Sequence, residues 1–196
     1  MLYICRARVA KKAHPESQSD QNQLIESTLS NITTTTSLSK ASSSSLIIEA
    51  ILESLSAKHS LFKSFDSSSP PETIFASNTS SLKIGDIASC VGEERSKRFV
   101  GLHFFNPVPQ MKLVEVIRME GKTDEQVVKD VTEWCKRLGK APANCKDTPG
   151  SVFAFVSPHL LKLIMRVVGS SSIAFWSPTF SKRCAWPNEA TPPQKT

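Results

Sequence analysis

The apolar residues of this chain fall into short runs separated by polar turns, and two of the runs have the length of buried strands. Leu46-Ile-Ile-Glu-Ala-Ile51 is followed by helix-forming residues through Phe65, which predicts a central parallel strand and its helix. Thr73-Ile-Phe-Ala-Ser77 predicts a second strand, and Asn78-Thr-Ser-Ser81 can cap a helix starting near Leu82. Strands that alternate with helices predict an α/β fold.

A third apolar stretch runs from Phe99 to Ile117, and its two halves flank the turn Asn106-Pro-Val-Pro109. Each half contains one ionisable residue, His103 in the first and Glu115 in the second. Period-two alternation puts Glu115 on the same strand face as its apolar neighbours two positions away. A carboxylate on such a face needs a partner.

The two ionisable residues can meet if the turn folds the two halves back to back. The Glu115 carboxylate would then fix the tautomer of the His103 ring and raise its basicity, which is the arrangement of a general base. The alternative is a histidine satisfied within the core and a glutamate that faces solvent from an edge strand. The residue pattern alone leaves both open.

The remaining patterns predict two helices and a last strand. Thr123-Asp-Glu-Gln126 has the form of a capping box, and the helix that it begins ends at Gly139. The apolar stripe of that helix consists of Val127, Val131, Trp134, Cys135 and Leu138. Pro142 to Asp147 predicts the last strand of the sheet. Near the start, residues 6 to 13 predict the end of a helix with a basic face, which His14-Pro15 stops.

Composition narrows the picture only a little. The net charge of +6 suits an anionic ligand such as a nucleotide or CoA, or nucleic acid, or no ligand at all. The five cysteines include no CxxC pair and no histidine at zinc-ligand spacing, so we expect reduced thiols in an intracellular compartment and no metal site. No apolar run approaches the length of a transmembrane helix, and we expect a soluble protein without a membrane partner.

Four motifs, taken in order, give the chain a family resemblance. They are Ser77-Asn-Thr-Ser-Ser-Leu82, His103-Phe-Phe-Asn-Pro-Val-Pro109, Lys112-Leu-Val-Glu-Val-Ile117 and Lys146-Asp-Thr-Pro-Gly150. Together they closely resemble the L-3-hydroxyacyl-CoA dehydrogenase family of fatty-acid β-oxidation, and the likeness runs from about Cys5 to Gly150. It implies a Rossmann-like doubly wound sheet, NAD as cofactor, and an acyl-CoA rather than a nucleic acid as partner. It also implies a strand over Asn31-Ile-Thr-Thr-Thr-Thr36, although the Ser/Thr tract in which that segment lies would otherwise suggest a linker. The parallel strands would then extend from about Ile32 to Ser77.

The resemblance also assigns a reaction, the NAD-dependent oxidation of an L-3-hydroxyacyl-CoA to the 3-oxoacyl-CoA. His103 would take the hydroxyl proton as hydride leaves C3 for the nicotinamide, and Glu115 would orient and charge-balance the imidazolium. Ser80 would hydrogen-bond the reacting oxygen. The resemblance implies contacts to NAD from Glu53, Lys58, Ser80 and Asn106, and contacts to the CoA substrate from Lys12 and Ser80. The alternatives are plain structural ones: solvated residues of a helix's first turn for Glu53 and Lys58, a solvated basic face for Lys12, and helix capping for the serines.

Two departures from the family limit what the resemblance implies. The glycines at 85, 92, 101, 121, 139, 150 and 169 are never spaced as a GxGxxG phosphate loop, so we expect an incomplete sheet that lacks the first βαβ unit of a Rossmann domain. After Gly150 no family pattern continues. We therefore expect 1–150 to form a partial NAD-binding domain, and 151–196 to be an irregular, partly disordered tail without the family's homodimer interface.

Two functions therefore stay open. The chain is a dehydrogenase of this family, located in the mitochondrial matrix by resemblance although no transit peptide is visible, or otherwise in the cytoplasm. Alternatively it is a truncated, catalytically inactive form that acts at most as a binding remnant, and in that case the chain alone binds NAD weakly and turns over little. A family member used as a structural protein of the eye lens fits less well, because that role needs the glycine loop intact.

Overall fold

The structure, a computed structural model, describes residues 9–148, and a five-stranded sheet forms its centre. The strands are β1 (Leu46–Glu49), β2 (Ile74–Ser77), β3 (Phe99–Phe104), β4 (Leu113–Arg118) and β5 (Ala141–Lys146), and they lie in the sheet in that order. The β1, β2 and β3 strands are parallel to one another, β4 returns antiparallel to β3, and β5 is parallel to β4. The predicted α/β sheet is therefore confirmed.

Helices connect the strands and cover both faces of the sheet. They are α1 (described over residues 9–13), α2 (Gln18–Ser30), α3 (Leu38–Ser42), α4 (Leu55–Asp66), α5 (Ile84–Ala88), α6 (Glu93–Lys97) and α7 (Glu125–Arg137). The Ser54 hydroxyl accepts a hydrogen bond from the Ala57 amide, which fixes the start of α4 directly after β1. No helix within residues 9–148 combines the length and apolarity that a membrane crossing requires.

Strand alternation divides the core into two layers. On one face, Val127, Val131 and Cys135 of α7 pack on alternate residues of β3 and β4, such as Val100 and Val116. On the other face, the aromatic and aliphatic side chains of α4 and α5 pack on Phe75 and Phe99 of β2 and β3 together with neighbouring apolar residues. The β2 strand is buried on both faces, which agrees with the second apolar strand predicted over residues 73–77.

The strand that the resemblance implied over Asn31 to Thr36 is wrong. The α2 helix continues through Ser30, Asn31 is its C-cap, and the following residues have no regular structure. Ile32 is 47% exposed. The β propensity of the threonines is insufficient here because the segment has no alternating apolar face to bury. The first described strand is therefore β1, which ends at Glu49, two residues before the end of its apolar run. The prediction that this run forms a central strand is wrong for the described sheet, because β1 lies at its edge and its residues are alternately half-buried and buried.

Two capping predictions also differ from the structure. Asp124, not Thr123, is the N-cap of α7, and the Thr123 hydroxyl instead donates to the carbonyl of Phe99. The α5 helix starts at Ile84, and its first amides donate to the carboxylate of Asp147 at 2.7 Å rather than to the 78–81 cluster. In both cases a nearby carboxylate takes the place of the predicted hydroxyl. The predicted tail, 151–196, lies outside the described residues, so the division into two domains stays a prediction.

Candidate functional site

The candidate site lies at the carboxyl ends of the three parallel strands, on the face that α4 and α5 cover. Alternation places Glu49, Ser77 and His103 on this face, at or near the ends of β1, β2 and β3. Register aligns Glu49 with Ser77 across the first strand pair, and His103 with Glu115 across the hairpin. Polar side chains therefore form a row across the edge of the sheet where α/β proteins hold their ligands.

The predicted contact between His103 and Glu115 is present. The imidazole Nδ1 lies 2.9 Å from the carboxylate Oε2, and the side chains are 11% and 2% exposed. The alternative of a glutamate that faces solvent is therefore wrong. When Nδ1 carries the proton and donates it to Glu115, Nε2 keeps the lone pair that can accept another proton. The ring centroid of Phe105 lies 4.4 Å from that of His103 and borders the imidazole on one side.

A buried ion pair lies at the carboxyl ends of β1 and β2. Lys58 of α4 is completely buried, and its ammonium donates to both carboxylate oxygens of Glu49, at 2.7 and 2.9 Å. The Ser77 hydroxyl donates to the same carboxylate at 2.6 Å, as does the amide of Ile51. Lys58 is therefore not a solvated first-turn residue, and its charge is used within the protein.

Glu53, in the loop after β1, extends this network toward the surface. Its carboxylate lies 3.1 Å from the Lys58 ammonium and accepts hydrogen bonds from the hydroxyls of Thr79 and Ser81. Burial raises the pKa of Glu53, but the hydrogen bonds from Thr79, Ser81 and Lys58 together outweigh it and hold the pKa below its ordinary value. Glu53 is therefore ionised at neutral pH, and 38% of its side chain remains exposed.

The turn between β2 and α5 carries Ser80. Thr79 Oγ1 accepts hydrogen bonds from the amides of Ser81 and Leu82, which closes the turn locally. The Asn78 side-chain carbonyl accepts a hydrogen bond from the Phe104 amide at 2.8 Å, so the turn is tied to the residue after His103. Ser80 itself is exposed, at the point of the turn.

The loop between β3 and β4 carries the exposed Asn106, whose peptide bond to Pro107 is cis. Lys140, in the turn before β5, binds this loop. Its ammonium donates hydrogen bonds to the backbone carbonyls of Val108 and Met111, the latter at 2.8 Å. Burial lowers the pKa of Lys140. The loop is thus attached to the last strand as well as to the hairpin.

The structure brings together most of the predicted site residues, but not all. His103 contacts Glu115, Glu53 contacts Lys58, and the turn with Ser80 is tied to both groups. Lys12 is exposed on α1 and makes no hydrogen bond or ion pair with other site residues within the described range. The assigned roles in catalysis and binding stay predictions. Within residues 9–148 no three His, Cys, Asp or Glu side chains gather as a metal site.

Sequence reasoning missed Glu49, Ser77, Asn78 and Lys140. Glu49 offered a signal, because it is the sole charged residue within an apolar run and therefore needs a buried partner. Ser77 has the same position at the end of the next strand. Nothing local in the sequence indicated Asn78 as a link to β3, or Lys140 as a link to the Asn106 loop.

Comparison with known proteins places this geometry in a family. The family model described as "3-hydroxyacyl-CoA dehydrogenase, NAD binding domain" matches residues 4–148. The mitochondrial hydroxyacyl-coenzyme A dehydrogenase of Rattus norvegicus is 45% identical over 159 residues, which are 80% of this chain and 50% of that protein. A probable 3-hydroxybutyryl-CoA dehydrogenase of Bacillus subtilis is 43% identical over 137 residues, 70% of this chain and 45% of that protein.

Solved structures agree with this assignment. FadB2 of M. tuberculosis has a TM-score of 0.67 at 33% identity, and the match spans 87% of this chain and 59% of FadB2. The 3-hydroxybutyryl-CoA dehydrogenase of Escherichia coli has a TM-score of 0.65 at 35% identity, over 74% of this chain and 30% of that one. The chain spans about half the length of the curated relatives that it matches. Because the family model matches most of the chain, this protein belongs to the 3-hydroxyacyl-CoA dehydrogenase family.

Proposed function

We propose that this chain carries the catalytic residues of an NAD-dependent L-3-hydroxyacyl-CoA dehydrogenase, which oxidises its substrate to the 3-oxoacyl-CoA. The observation that carries the proposal is the buried contact between His103 and Glu115 at the carboxyl edge of the sheet. A buried histidine oriented by a carboxylate is suited to remove a proton from an alcohol. The family to which the chain belongs gives this chemistry its substrate class.

In the proposed mechanism, His103 Nε2 takes the proton of the substrate's 3-hydroxyl group. Glu115 holds Nδ1–H, so that the ring faces the substrate with Nε2, and its negative charge stabilises the imidazolium that forms. Ser80, exposed at the point of its turn, hydrogen-bonds the reacting oxygen. When bound, NAD would supply the acceptor for the hydride that leaves C3 of the substrate. The proton and the hydride together account for the two hydrogens that the alcohol loses.

The described residues fit the nicotinamide and ribose end of NAD. Glu53 is ionised and partly exposed, so its carboxylate can accept hydrogen bonds from ribose hydroxyls. Ser80 and Asn106 are exposed at the same carboxyl edge and can bond the nicotinamide amide or the substrate. Lys58 is fully buried, and its proposed role in cofactor binding therefore acts through Glu53. Lys12 is proposed to contact CoA because its exposed ammonium can pair with phosphate.

A catalytically silent chain is the second candidate. It is favoured by the glycine spacing, since none of the glycines forms a GxGxxG loop.

The rat, mouse and human relatives are named mitochondrial, and we propose the same compartment for this protein in either case.

The proposal is tested by the reverse reaction. The purified chain is mixed with acetoacetyl-CoA and up to several millimolar NADH, and NADH consumption is followed by absorbance. We expect the wild type to have a slow rate that requires acetoacetyl-CoA, and His103→Gln to lower that rate by about 10²- to 10⁴-fold. The rate of Glu115→Gln should lie between those of the wild type and His103→Gln. NADH fluorescence measures cofactor affinity in the same variants, and we expect that affinity to differ little from the affinity of the wild type. An absent rate would support the catalytically silent form, and a rate that His103→Gln leaves unchanged would refute His103 as the proton acceptor.

A further inference from the structure

We infer that Glu49 is a positioning residue, which acts through Lys58 and Glu53 to hold the Ser80 turn beside the catalytic strand. The inference rests on the proposed function for the role of Ser80, although the ordering of the turn can be measured without it. Glu49 lies at the end of β1 and is 3% exposed, so it does not touch substrate or cofactor. Its influence must pass through its partners.

The inner part of this connection is fully hydrogen-bonded. Glu49 Oε1 accepts from the Lys58 ammonium and the Ile51 amide, at 2.7 and 2.6 Å. Glu49 Oε2 accepts from the same ammonium and from the Ser77 hydroxyl, at 2.9 and 2.6 Å. Each oxygen therefore has two donors, and the Lys58 side chain is held in one place on a strand end that cannot move independently of the sheet.

The outer part leads from Lys58 to both neighbours of Ser80. The Lys58 ammonium lies 3.1 Å from Glu53 Oε2, while Glu53 Oε1 accepts from the hydroxyls of Thr79 and Ser81. Thr79 and Ser81 are the residues on either side of Ser80 in the chain. The Glu53 carboxylate thus fixes the two ends of the segment whose middle residue is exposed to the proposed substrate.

The other side of the turn is attached to the catalytic strand. Asn78 Oδ1 accepts the Phe104 amide, and the Asn78 amide donates to the carbonyl of Glu49 at 2.7 Å. Phe104 directly follows His103. The position of Ser80 relative to His103 is therefore set by two connections, one through Asn78 and one through the carboxylates and Lys58.

The charges suit positioning better than stabilisation. A completely buried ion pair loses the hydration of both charges, and apolar residues of the same volume often give an equal or higher stability. Here two carboxylates share one ammonium, and the second carboxylate is the partly exposed one that binds the turn. Such an arrangement holds the Glu53 carboxylate, and the turn hydroxyls bound to it, in a fixed geometry near the surface. Apolar side chains in place of Glu49 and Lys58 could not do this.

Hydrogen exchange followed by mass spectrometry tests the ordering on the full chain. In Glu49→Gln the side chain keeps its size but loses its charge, and in Glu53→Gln the outer link is weakened at a partly exposed position. We expect amide exchange in peptides covering 78–83 to become at least about tenfold faster than in the wild type in both variants. That region contains the Ser81 and Leu82 amides that the turn protects.

Asp66→Asn is the matched control, because it removes an ion pair from the opposite end of the same helix. Asp66 lies 2.9 Å from Arg95 and about 12 Å along the α4 axis from Lys58. We expect its exchange in 78–83 to stay within about twofold of the wild type. Equal acceleration by Asp66→Asn, or unchanged exchange in Glu49→Gln and Glu53→Gln, would overturn the inference. If Glu49→Gln fails to fold, Glu53→Gln decides the test.

Kinetics separate this inference from the proposed function. Under the acetoacetyl-CoA assay, Glu49→Gln is expected to lower kcat by about tenfold, whereas Asp66→Asn keeps the kcat of the wild type. A wild-type chain that neither binds NADH nor turns over contradicts the proposed function alone, because the exchange experiment still measures the turn. Faster exchange in 78–83 with an unchanged kcat would leave an ordered turn without a role in positioning and would overturn the inference.

Discussion

Replacing Gly101 by alanine should force the sheet and α5 apart beneath the candidate site. Gly101 lies on the α4/α5 face of β3, two residues before His103. A Cβ built there would lie 2.7 Å from Cδ1 of Ile84 and 2.8 Å from Cβ of Ile117, whereas carbon atoms in contact prefer about 3.5–4.0 Å. The Ile84 side chain can rotate away, but Cβ of Ile117 is fixed to the neighbouring strand. We therefore expect overpacking to lower the free energy of unfolding by about 1–3 kcal/mol.

Urea denaturation followed by far-UV circular dichroism measures this change. With a slope of about 2 kcal/mol per molar urea, a loss of 2 kcal/mol moves the midpoint down by about 1 M. Gly92→Ala is the control, since the nearest atom to its added Cβ is 3.8 Å away and its φ of −62° suits alanine. We expect Gly92→Ala to stay within about 1 kcal/mol of the wild type. Equal stability of the two alanine variants would refute the packing argument.

A second substitution tests the cause of the loss. Ile84→Ala removes both of the Ile84 atoms that a Cβ at Gly101 would meet, at the cost of a cavity. The double variant should then lose less stability than the sum of the two single variants, with an interaction energy of about 0.5–3 kcal/mol. Recovery is partial because the contact with Ile117 remains. Strict additivity would show that the Ile84 contact is not the source of the strain.

Three further outcomes follow from buried charges and thiols. Glu115→Ala leaves the Nδ1–H of His103 without its carboxylate, and should lower the free energy of unfolding by about 1–3 kcal/mol in urea denaturation; no loss would mean that the contact adds no stability. Burial raises the pKa of Cys135 to about 11 and that of Cys145 to about 12, so iodoacetamide at pH 8 should leave both unmodified until the protein unfolds, as peptide mapping can verify. The pKa of Glu53 is lowered in the folded state, so its contribution to stability is full above the ordinary value of 4.5 and is lost as pH falls through the lower folded value; the stability difference between the wild type and Glu53→Gln should shrink below pH 4.5, and a difference that grows there would contradict the hydrogen bonds that Glu53 accepts.

Local patterns in the sequence predicted the elements whose burial is complete. The β2 strand and both strands of the hairpin are buried on two faces, which leaves an apolar run that can be recognised without a structure. The His103 and Glu115 contact was predictable for the same reason, because a proline-containing turn joins two such runs. Asn31 to Thr36 shows the limit: β-branched residues favour a strand only where another strand and a core are available.

The rest of the site depends on pairings that no local pattern contains. Glu49 meets Ser77, 28 residues later, because parallel strands happen to be in that register. Asp147 meets the start of α5 across a separation of 63 residues. Hydrophobic periodicity predicts which face a residue lies on, but not which residue of a distant strand lies beside it. Glu49 could be identified as needing a partner, while the partner itself could not.

The short chain separation within the hairpin has a consequence for how the protein folds. His103 and Glu115 are 12 residues apart, so closing one small loop brings them together. The contacts between Glu49, Ser77 and the Ser80 turn span about twice that separation and require two strands and a helix to dock first. We expect the proton-accepting pair to assemble early, on a hairpin that can form before the rest of the site. An intact His103 and Glu115 contact therefore reports on the hairpin, whereas order in the Ser80 turn reports on the whole sheet.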